Sequence, residues 1–389
     1  MKKTKVYRDR IICLLFSLFL LMVLELASRT FFPHKDRMAE ILSILKQDPQ
    51  LFWRQKANLN VDFQSSKVKT NSFGLRGNEF KKTKDKDTFR IVCLGASPTF
   101  GWGVGQDQTY PYKLETLLGE KYPGRNIEVI NAGNIGYSSY QGLMFFKDYI
   151  LGLSPDLITI SYVINDVDKH RFYRSDGRSD KELEPKNRFL VWTENILDNS
   201  NLYKLLKGAI LNSQGLAAKY FSRGGSGVYL EKHRVSAKDY RENLNKFIEA
   251  AGNNNSDIVM VVMPVNLPSG ETTAGALSSK DLYCKGVLAE KKGNFEDAKK
   301  YFQEAKEMEL YQCSHLGKDY NNIMREVAGE RNIAVVDIAA TFENVQRVSG
   351  IYLFLDPSGD TIHPNAIGHK LISRQVYDVL IKYGFMEDR

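Results

Sequence analysis

The sequence predicts an α/β protein in which helices cover both faces of a parallel β-sheet. Beyond residue 88, short apolar runs alternate with segments of helical character, and this alternation is typical of parallel sheets. We predict strands at residues 91–94, 127–130, 157–162, 258–263 and 334–337, and helices at 110–118, 141–151 and 365–382. Ligands of such sheets bind beyond the carboxyl ends of the strands, so the residues that follow the strands are the candidates for function.

The N-terminus carries a targeting signal. Residues 11–24 form an unbroken apolar run, and its extension to residue 32 reaches the roughly twenty residues that a membrane-spanning helix needs. A cleavable signal peptide shares this pattern and its basic flank, but Leu26-Ala27-Ser28-Arg29 is a poor cleavage site. We therefore expect a cytoplasmic tail at 1–10, a transmembrane signal anchor at 11–32, and an extracytoplasmic remainder that lies in a periplasm or on the cell exterior.

The composition excludes a few classes of partner. Hydrophobic residues make up 43% of the chain and charged residues 26%, as in ordinary globular proteins. Half of the net charge of +8 belongs to the first ten residues, and no basic stripe interleaved with aromatic residues follows, so we expect no nucleic-acid partner. No pair of His or Cys residues has the spacing of zinc ligands, and we expect neither a metal nor an organic cofactor.

Residues 87–389 are predicted to form the main domain, after a polar juxtamembrane segment at 33–86 that ends in a solvated charge run. Two insertions interrupt the alternation of strands and helices. Residues 168–245 are polar, irregular and rich in Tyr and Arg. Residues 266–320 contain a helical hairpin, with helices at 282–291 and 295–309, that resembles half of a tetratricopeptide repeat. Because one such unit cannot bury its own apolar face, it packs on the main domain or, alternatively, on a protein partner.

Two cysteines bracket this hairpin. Cys284 lies near the start of its first helix and Cys313 follows the predicted end of the second, and an antiparallel hairpin brings these two points together. A disulfide would suit an extracytoplasmic location and would contribute roughly 3 kcal/mol by loop closure. Two free thiols are the alternative.

Nucleophilic attack on an ester requires a hydroxyl at a turn, a base, a group that orients the base, and donors for the oxyanion. Ser97 follows the first strand in Gly95-Ala96-Ser97, although a serine there is also a common helix N-cap. Asp360 and His363 are three residues apart before the last helix, where on one turn the carboxylate could orient the imidazole as a base.

Two further motifs could supply the oxyanion donors. Gly136 follows the second strand in a glycine-rich segment, where the backbone can approach a ligand closely. Asn165 follows the third strand, and its side-chain amide could donate a hydrogen bond to an oxyanion. Each motif alone is an ordinary turn, but the four in this order indicate a serine-dependent site.

With these motifs the chain resembles the SGNH (GDSL-like) hydrolase superfamily over roughly residues 89–383, apart from the two insertions. The residues that name the superfamily correspond to Ser97, Gly136, Asn165 and His363, with Asp360 before the histidine. The segments 71–77 and 100–104 resemble a group of membrane-anchored bacterial members. The resemblance implies a flavodoxin-like, three-layer doubly wound sheet, a Ser97–His363–Asp360 triad, and an oxyanion hole of Ser97, Gly136 and Asn165.

Two positions depart from the superfamily pattern. The usual Gly-Asp-Ser is Gly-Ala-Ser, so Ala96 cannot make the hydrogen bonds of the aspartate, and Val163 stands where a glycine is common. Neither change removes a proton-transfer or oxyanion group, so we expect an active esterase that acts on acyl or acetyl esters of a cell-surface glycan or lipid. A polysaccharide O-acetyltransferase with the same triad and a catalytically silent, membrane-anchored scaffold are the two alternatives.

Overall fold

The computed structural model describes residues 2–31, 37–167, 179–207, 209, 233–264, 282, 285–286, 288–290, 293–356 and 360–387, without the side chains at 2–6, 8, 37–39, 42, 302–303, 305–316 and 360–361. These residues form two compact units. One comprises Met1–Arg54 and Pro185–Gly225, and the other comprises Gln55–Glu184 and Ser226–Arg389. Each unit is described by itself below.

The secondary structure comprises eleven named strands and eleven named helices within the described ranges. The strands are β1 Leu45–Asp48, β2 Phe52–Gln55, β3 Asn60–Phe63, β4 Ser66–Lys69, β5 Thr88–Gly95, β6 Asn126–Gly133, β7 Leu157–Ser161, β8 Asp257–Val262, β9 Ala334–Asp337, β10 Phe354–Asp356 and β11 Asp360–Pro364. The helices are α1 Lys2–Phe31, α2 Arg37–Ile44, α3 Ser97–Phe100, α4 Tyr110–Lys121, α5 Ser139–Phe145, α6 Ile164–Val167, α7 Arg188–Leu197, α8 Ala237–Gly252, α9 Phe295–Glu330, α10 Ile338–Ser349 and α11 Ala366–Lys382. A π-helical turn, Phe146–Ile150, follows α5.

The larger unit is built on a five-stranded parallel sheet with the strand order β6-β5-β7-β8-β9. All eight residues of β5 are buried, because this central strand pairs with β6 on one side and β7 on the other. The order corresponds to the flavodoxin-like arrangement, in which the strand order reverses between the first and third strands. The predicted fold class is therefore confirmed.

Helices cover both faces of this sheet. Helices α4 and α11 pack against each other on one face, whereas α5, α8 and α9 pack together on the other. Helix α8 illustrates the reason for this packing. Its buried residues Tyr240, Leu244, Phe247 and Ala251 recur at helical spacing and form one apolar face. The segments with Ser97, Gly136 and Asn165 begin at the carboxyl ends of β5, β6 and β7, respectively.

The structure corrects two predictions of local structure and adds elements that were not predicted. The added elements are α2 and strands β1 to β4, which lie within the juxtamembrane segment 33–86. The segment 168–245 is not irregular throughout, because α7 and most of α8 lie in it. The helix that we predicted to end at residue 309 continues to Glu330, because residues 310–330 contain no proline and the buried residues Tyr320, Met324, Val327 and Ala328 recur there at helical spacing. The side chain of Cys313 and the whole of Cys284 lie outside the described residues.

The smaller unit contains α1, α2, the β1–β2 pair and α7. Within α1, the segment Asp9–Phe31 has a mean hydropathy of 2.6. By length and composition it could cross a membrane, and among the described residues it is the one helix that meets both criteria.

Candidate active site

Ser97 and His363 meet at the carboxyl edge of the sheet. The Oγ atom of Ser97 lies 2.8 Å from Nε2 of His363, although the two residues are 266 positions apart in the chain. Ser97 is the first residue of α3, and the N-cap position is taken by Ala96, which makes no side-chain capping bond. The interpretation of Ser97 as a helix N-cap is therefore wrong, and its hydroxyl contacts an imidazole nitrogen instead.

Two glycines allow α3 to lie directly on the strand ends. A Cβ atom on Gly133 would lie 2.1 Å from the backbone nitrogen of Phe100, and one on Gly95 would lie 2.1 Å from Oγ1 of Thr99. Both distances are far below a van der Waals contact, so any larger residue would push α3 away from the sheet. Glycine at these positions brings Ser97 close to the loop that follows β6.

Trp102 supports the histidine from one side. Its ring stacks on the imidazole of His363, with centroids 5.1 Å apart and an interplanar angle of 14°. Phe63 packs edge-on against Trp102 at 4.9 Å and holds the indole in place. A ring in this position also stabilises a positive charge on the imidazole, because the face of an indole carries negative potential.

Arg76 clamps the turn that follows α3. Its guanidinium donates hydrogen bonds to the carbonyl oxygens of Phe100 (2.9 Å), Gly101 and Val104 (2.6 Å), and it lies over the Phe100 ring. The side chain is buried, and burial lowers its pKa to about 10. Carbonyls at the end of a helix carry partial negative charge, so one buried cation satisfies several of them at once. The motif at 71–77 drew attention to this arginine, but the sequence did not show what it binds.

Gly136 and Asn165 come together at the same edge. Gly136 has φ +75°, a backbone conformation that favours glycine, and the amide nitrogen of Asn134 in the same loop donates to Gly95 O at 2.9 Å. The side-chain amide of Asn165 donates to the carbonyl oxygen of Tyr137 at 3.0 Å. The loop after β6 is thus bound both to the end of β5 and to Asn165.

A buried ion pair, Arg234 and Asp180, stabilises the loop that follows β6. Arg234 donates to the carbonyl oxygen of Gly136 at 2.7 Å and to Oε1 of Gln141 at 2.6 Å. The same guanidinium contacts Asp180 at 2.8 Å, and both charged side chains have 0% exposure. Ser138 adds a hydrogen bond to the Asp180 carboxylate at 2.7 Å. This pair was not predicted, and its only signal in the sequence is the richness in Arg of the segment 168–245.

A second buried carboxylate lies next to Asn165. Oδ1 of Asp166 accepts a hydrogen bond from the Ser139 backbone at 2.8 Å, whereas Oδ2 is buried without a hydrogen-bond partner. Burial is the main cause that raises the pKa of Asp166 to about 7. This carboxyl therefore carries a proton over part of the neutral range.

His363 lies on a strand rather than on a turn. Strand β11 pairs antiparallel with β10, with Phe354 opposite Pro364 and Asp356 opposite Asp360. The expectation that residues 360–363 form one turn is wrong, because this segment finds its backbone partners in a neighbouring strand. The side chain of Asp360 lies outside the described residues, so its contact with His363 stays a prediction.

His369 is the other histidine of this region. It is fully buried, its Nδ1 accepts a hydrogen bond from the backbone nitrogen of Tyr110 at 3.2 Å, and burial lowers its pKa to about 3. His369 is therefore neutral and packed in the core, and His363 is the histidine that faces the serine hydroxyl.

A cavity of about 410 Å³ adjoins the hairpin that carries His363, within the described part of the larger unit. Phe354 of β10 contributes to its wall, and most of the other lining side chains are polar or charged, among them Lys318, Asn321, Arg325 and Glu343. Elsewhere in the described ranges, no group of three or more His, Cys, Asp and Glu side chains is arranged to hold a metal ion.

A flavodoxin-like parallel sheet with a serine and a histidine hydrogen-bonded at its carboxyl edge is the arrangement that the resemblance to the SGNH hydrolases led us to expect. The chain belongs to the GDSL-like lipase/acylhydrolase family, whose family model matches residues 93–371. The resemblance to the SGNH (GDSL-like) hydrolases is therefore confirmed.

Individual relatives are more distant. A stretch of 105 residues, 25% of this chain, is 31% identical to an acetylxylan esterase of Xylanibacter ruminicola, and the match spans about a fifth (21%) of that protein's length. Among solved structures, the chain is similar to Axe2, an acetylxylan esterase from Geobacillus stearothermophilus, with 16% identity and a TM-score of 0.41 over 79% of this chain and 100% of that one. It is also similar to a lipase/acylhydrolase from Enterococcus faecalis, with 15% identity and a TM-score of 0.41 over 76% and 96%.

Proposed function

We propose that this protein is a membrane-anchored serine esterase that removes acyl groups, acetyl above all, from a cell-surface glycan. The observation that carries the proposal is the 2.8 Å contact between Ser97 Oγ and His363 Nε2. This distance lies within the range in which an imidazole takes a proton from a hydroxyl.

The reaction proceeds by two acyl transfers. His363 takes the proton of Ser97, whose oxygen attacks the ester carbonyl, and the protonated imidazole then donates to the departing alcohol. Water, deprotonated by the same histidine, then attacks the acyl-enzyme; the protonated imidazole returns the proton to Ser97 Oγ as the acyl–oxygen bond breaks and the acid is released. Asp360 is proposed to orient His363, and Trp102 lies against the imidazole that becomes positively charged.

The oxyanion is proposed to bind between two loops. Its donors are the backbone N–H groups of Ser97 and Gly136 and the side-chain amide of Asn165. That amide has two protons, of which one binds the Tyr137 carbonyl and the other is available to the substrate. Losing one such donor typically lowers the rate by about 10²–10³-fold.

A carbohydrate is the preferred carrier of the ester. The cavity of about 410 Å³ is lined by none of Ser97, Gly136, Asn165 and His363, so it bears on the carrier only as a largely polar surface beside the β10–β11 hairpin. The relative with 31% identity is an acetylxylan esterase, which is consistent with this preference.

The membrane anchor is proposed to be α1, with the enzyme on the extracytoplasmic side. Glu25 in this helix accepts hydrogen bonds from Ser200 Oγ at 2.7 Å and from the backbone of Asn201 at 2.9 Å. Asn201 in turn donates to the Ser28 carbonyl at 2.8 Å. Because α1 is part of the packing of the smaller unit, its removal as a signal peptide would leave these partners unpaired, which favours a retained anchor.

The test is a Ser97→Ala variant of the full chain, with Ser349→Ala as the matched control, because Ser349 is exposed and its hydroxyl bonds only to the backbone of Val345 and Ile351 at the end of the same helix. With p-nitrophenyl acetate and acetylated xylo-oligosaccharides, Ser97→Ala should lose at least about 10³-fold in kcat, and the control should not change. An organophosphonate probe should label the wild type and Ser349→Ala but not Ser97→Ala. Equal hydrolysis by Ser97→Ala would overturn the proposal, and transfer of acetyl to an added sugar faster than to water would replace esterase with acetyltransferase.

A further inference from the structure

Helix α7, Arg188–Leu197, is an amphipathic helix with its apolar side turned outward. Phe189, Trp192 and Ile196 follow one another at helical spacing and are 67%, 58% and 50% exposed. Leu190 and Leu197 are exposed beside them. These five residues are called the α7 apolar face below. A helix on a water-exposed surface normally places such residues against the core.

The opposite side of α7, which carries the buried Val191 and, one turn later, Asn195, packs on the protein. Asn195 makes two hydrogen bonds with the backbone of Gln47, accepting at 2.8 Å and donating at 2.9 Å. Glu194 pairs with Lys207 in the helical residues that follow. These bonds fix the rotation of α7 about its axis, so the exposure of the apolar face is set by specific contacts.

The same segment is attached to the candidate membrane span. The Glu25 carboxylate caps the helical residues 201–207 by accepting from Ser200 and from the backbone of Asn201 and Leu202. Arg29, one turn further along α1, donates to the Asn199 carbonyl at 3.0 Å. Residues 199–202 therefore sit beside the end of α1 at the level of Glu25.

The position of Glu25 along α1 indicates the depth of residues 199–202 in a bilayer. At 1.5 Å per residue, Ile11 and Glu25 are separated by about 21 Å along the helix axis. The hydrocarbon core of a bilayer is about 30 Å thick, so the unbroken apolar run of α1 is too short to cross it alone. With Ile11 at the inner boundary, Glu25 then lies about 9 Å and Arg29 about 3 Å inside the outer boundary of the hydrocarbon. This is the depth that an interfacial helix reaches, and a carboxylate there must be paired.

We propose that the α7 apolar face lies in the outer interface of the bilayer that α1 crosses. The occupant of the face is lipid, because the bonds to Glu25 and Arg29 place the segment at the level where α1 leaves the hydrocarbon. A Trp and a Phe on an otherwise aliphatic stripe suit this position, since aromatic rings favour the headgroup boundary. The inference rests on the proposed anchor and adds a second membrane contact to it.

The chain is suited to a fluorescence test. It contains three tryptophans, and Trp53 and Trp102 are only 6% and 5% exposed, so Trp192 is the one that lipids can reach. The full chain is reconstituted into phosphatidylcholine vesicles with or without brominated acyl chains, which quench tryptophan near the bilayer. Trp192→Phe serves as the control for the two buried rings. We expect quenching in the wild type, stronger with bromine near the headgroup than near the chain ends, and little quenching in the control.

A double substitution tests the α7 apolar face without relying on the fluorescence of Trp192. Phe189→Ser/Ile196→Ser should increase extraction of the full chain by mild detergent several-fold, whereas Val348→Ser, at an exposed valine outside the face, should not. Wild-type quenching equal to that of Trp192→Phe would overturn the inference. So would a dimer in mild detergent that is lost in the double variant while Trp192 stays unquenched, since a second copy would then cover the face.

Two readouts separate this inference from the proposed function. Ester hydrolysis in the same vesicles reports on the site at Ser97 independently of the quenching. Extraction with alkaline carbonate reports on α1, and release of the protein would overturn the anchor and this inference together. Retention with hydrolysis but no quenching would overturn the α7 contact alone.

Discussion

The buried pair of Arg234 and Asp180 offers the sharpest test of how the proposed oxyanion loop is held. Arg234 donates to the Gly136 carbonyl at 2.7 Å, and this contact fixes the peptide plane next to the proposed oxyanion donor. Replacing Arg234 with Met keeps most of the volume but removes the donor to Gly136 and Gln141, and it leaves the Asp180 carboxylate buried without its cation.

The structure sets the expected magnitudes. Because both side chains have 0% exposure, breaking the pair should lower the free energy of unfolding by about 3–5 kcal/mol. A misplaced Gly136 N–H should lower kcat by up to about 10²-fold, somewhat less than complete loss of an oxyanion donor. KM should change much less than kcat, because the oxyanion exists only in the transition state.

A double variant separates stability from catalysis. Asp180→Leu/Arg234→Met replaces the pair with apolar side chains, which is often neutral or stabilising in a protein interior, so urea denaturation should show most of the lost stability restored. Its kcat should stay low, because Gly136 still lacks its donor. If either variant is folded and hydrolyses p-nitrophenyl acetate with wild-type kcat, the argument that Arg234 positions the oxyanion loop is refuted.

Three further predictions concern other residues of the site. Burial raises the pKa of Asp166 from 3.8 to about 7, so between these values the folded state holds a proton that the unfolded state releases. The free energy of unfolding, measured by urea denaturation, should therefore decrease as the pH rises from about 4 to about 7, and Asp166→Asn should flatten this slope. Arg76→Met should lower the free energy of unfolding by about 2–4 kcal/mol in urea denaturation, because several buried carbonyls lose a shared donor. A value within about 0.5 kcal/mol of the wild type, the effect of a neutral surface substitution, would contradict that role. Trp102→Ala should lower kcat by about 2- to 30-fold through loss of the ring over His363, with Trp102→Phe retaining most of the activity in the same assay.

The sheet could be predicted from the sequence because its strands are buried on both faces. A buried parallel strand is a short, continuous apolar run, and the five predicted runs correspond to β5 to β9 within a few residues. The loops of interest could be located for the same reason, since they begin where those runs end. The elements that were not predicted lie in two largely polar segments, 33–86 and 168–245, and are stabilised by distant partners.

Local sequence determined the class of chemistry: a serine after the first strand, glycines that admit close backbone contact, and a histidine before the last helix are each recognisable from their neighbours. The tertiary structure alone decided the pairings, because Arg234 and Gly136 are 98 positions apart and Glu25 and Ser200 are 175 positions apart. No local sequence pattern identifies the partner of a guanidinium or a carboxylate. The partner is determined by the tertiary structure, because a buried charge without a partner would cost too much free energy. The outward-facing side of α7 likewise depends on contacts with Gln47 that no local pattern encodes.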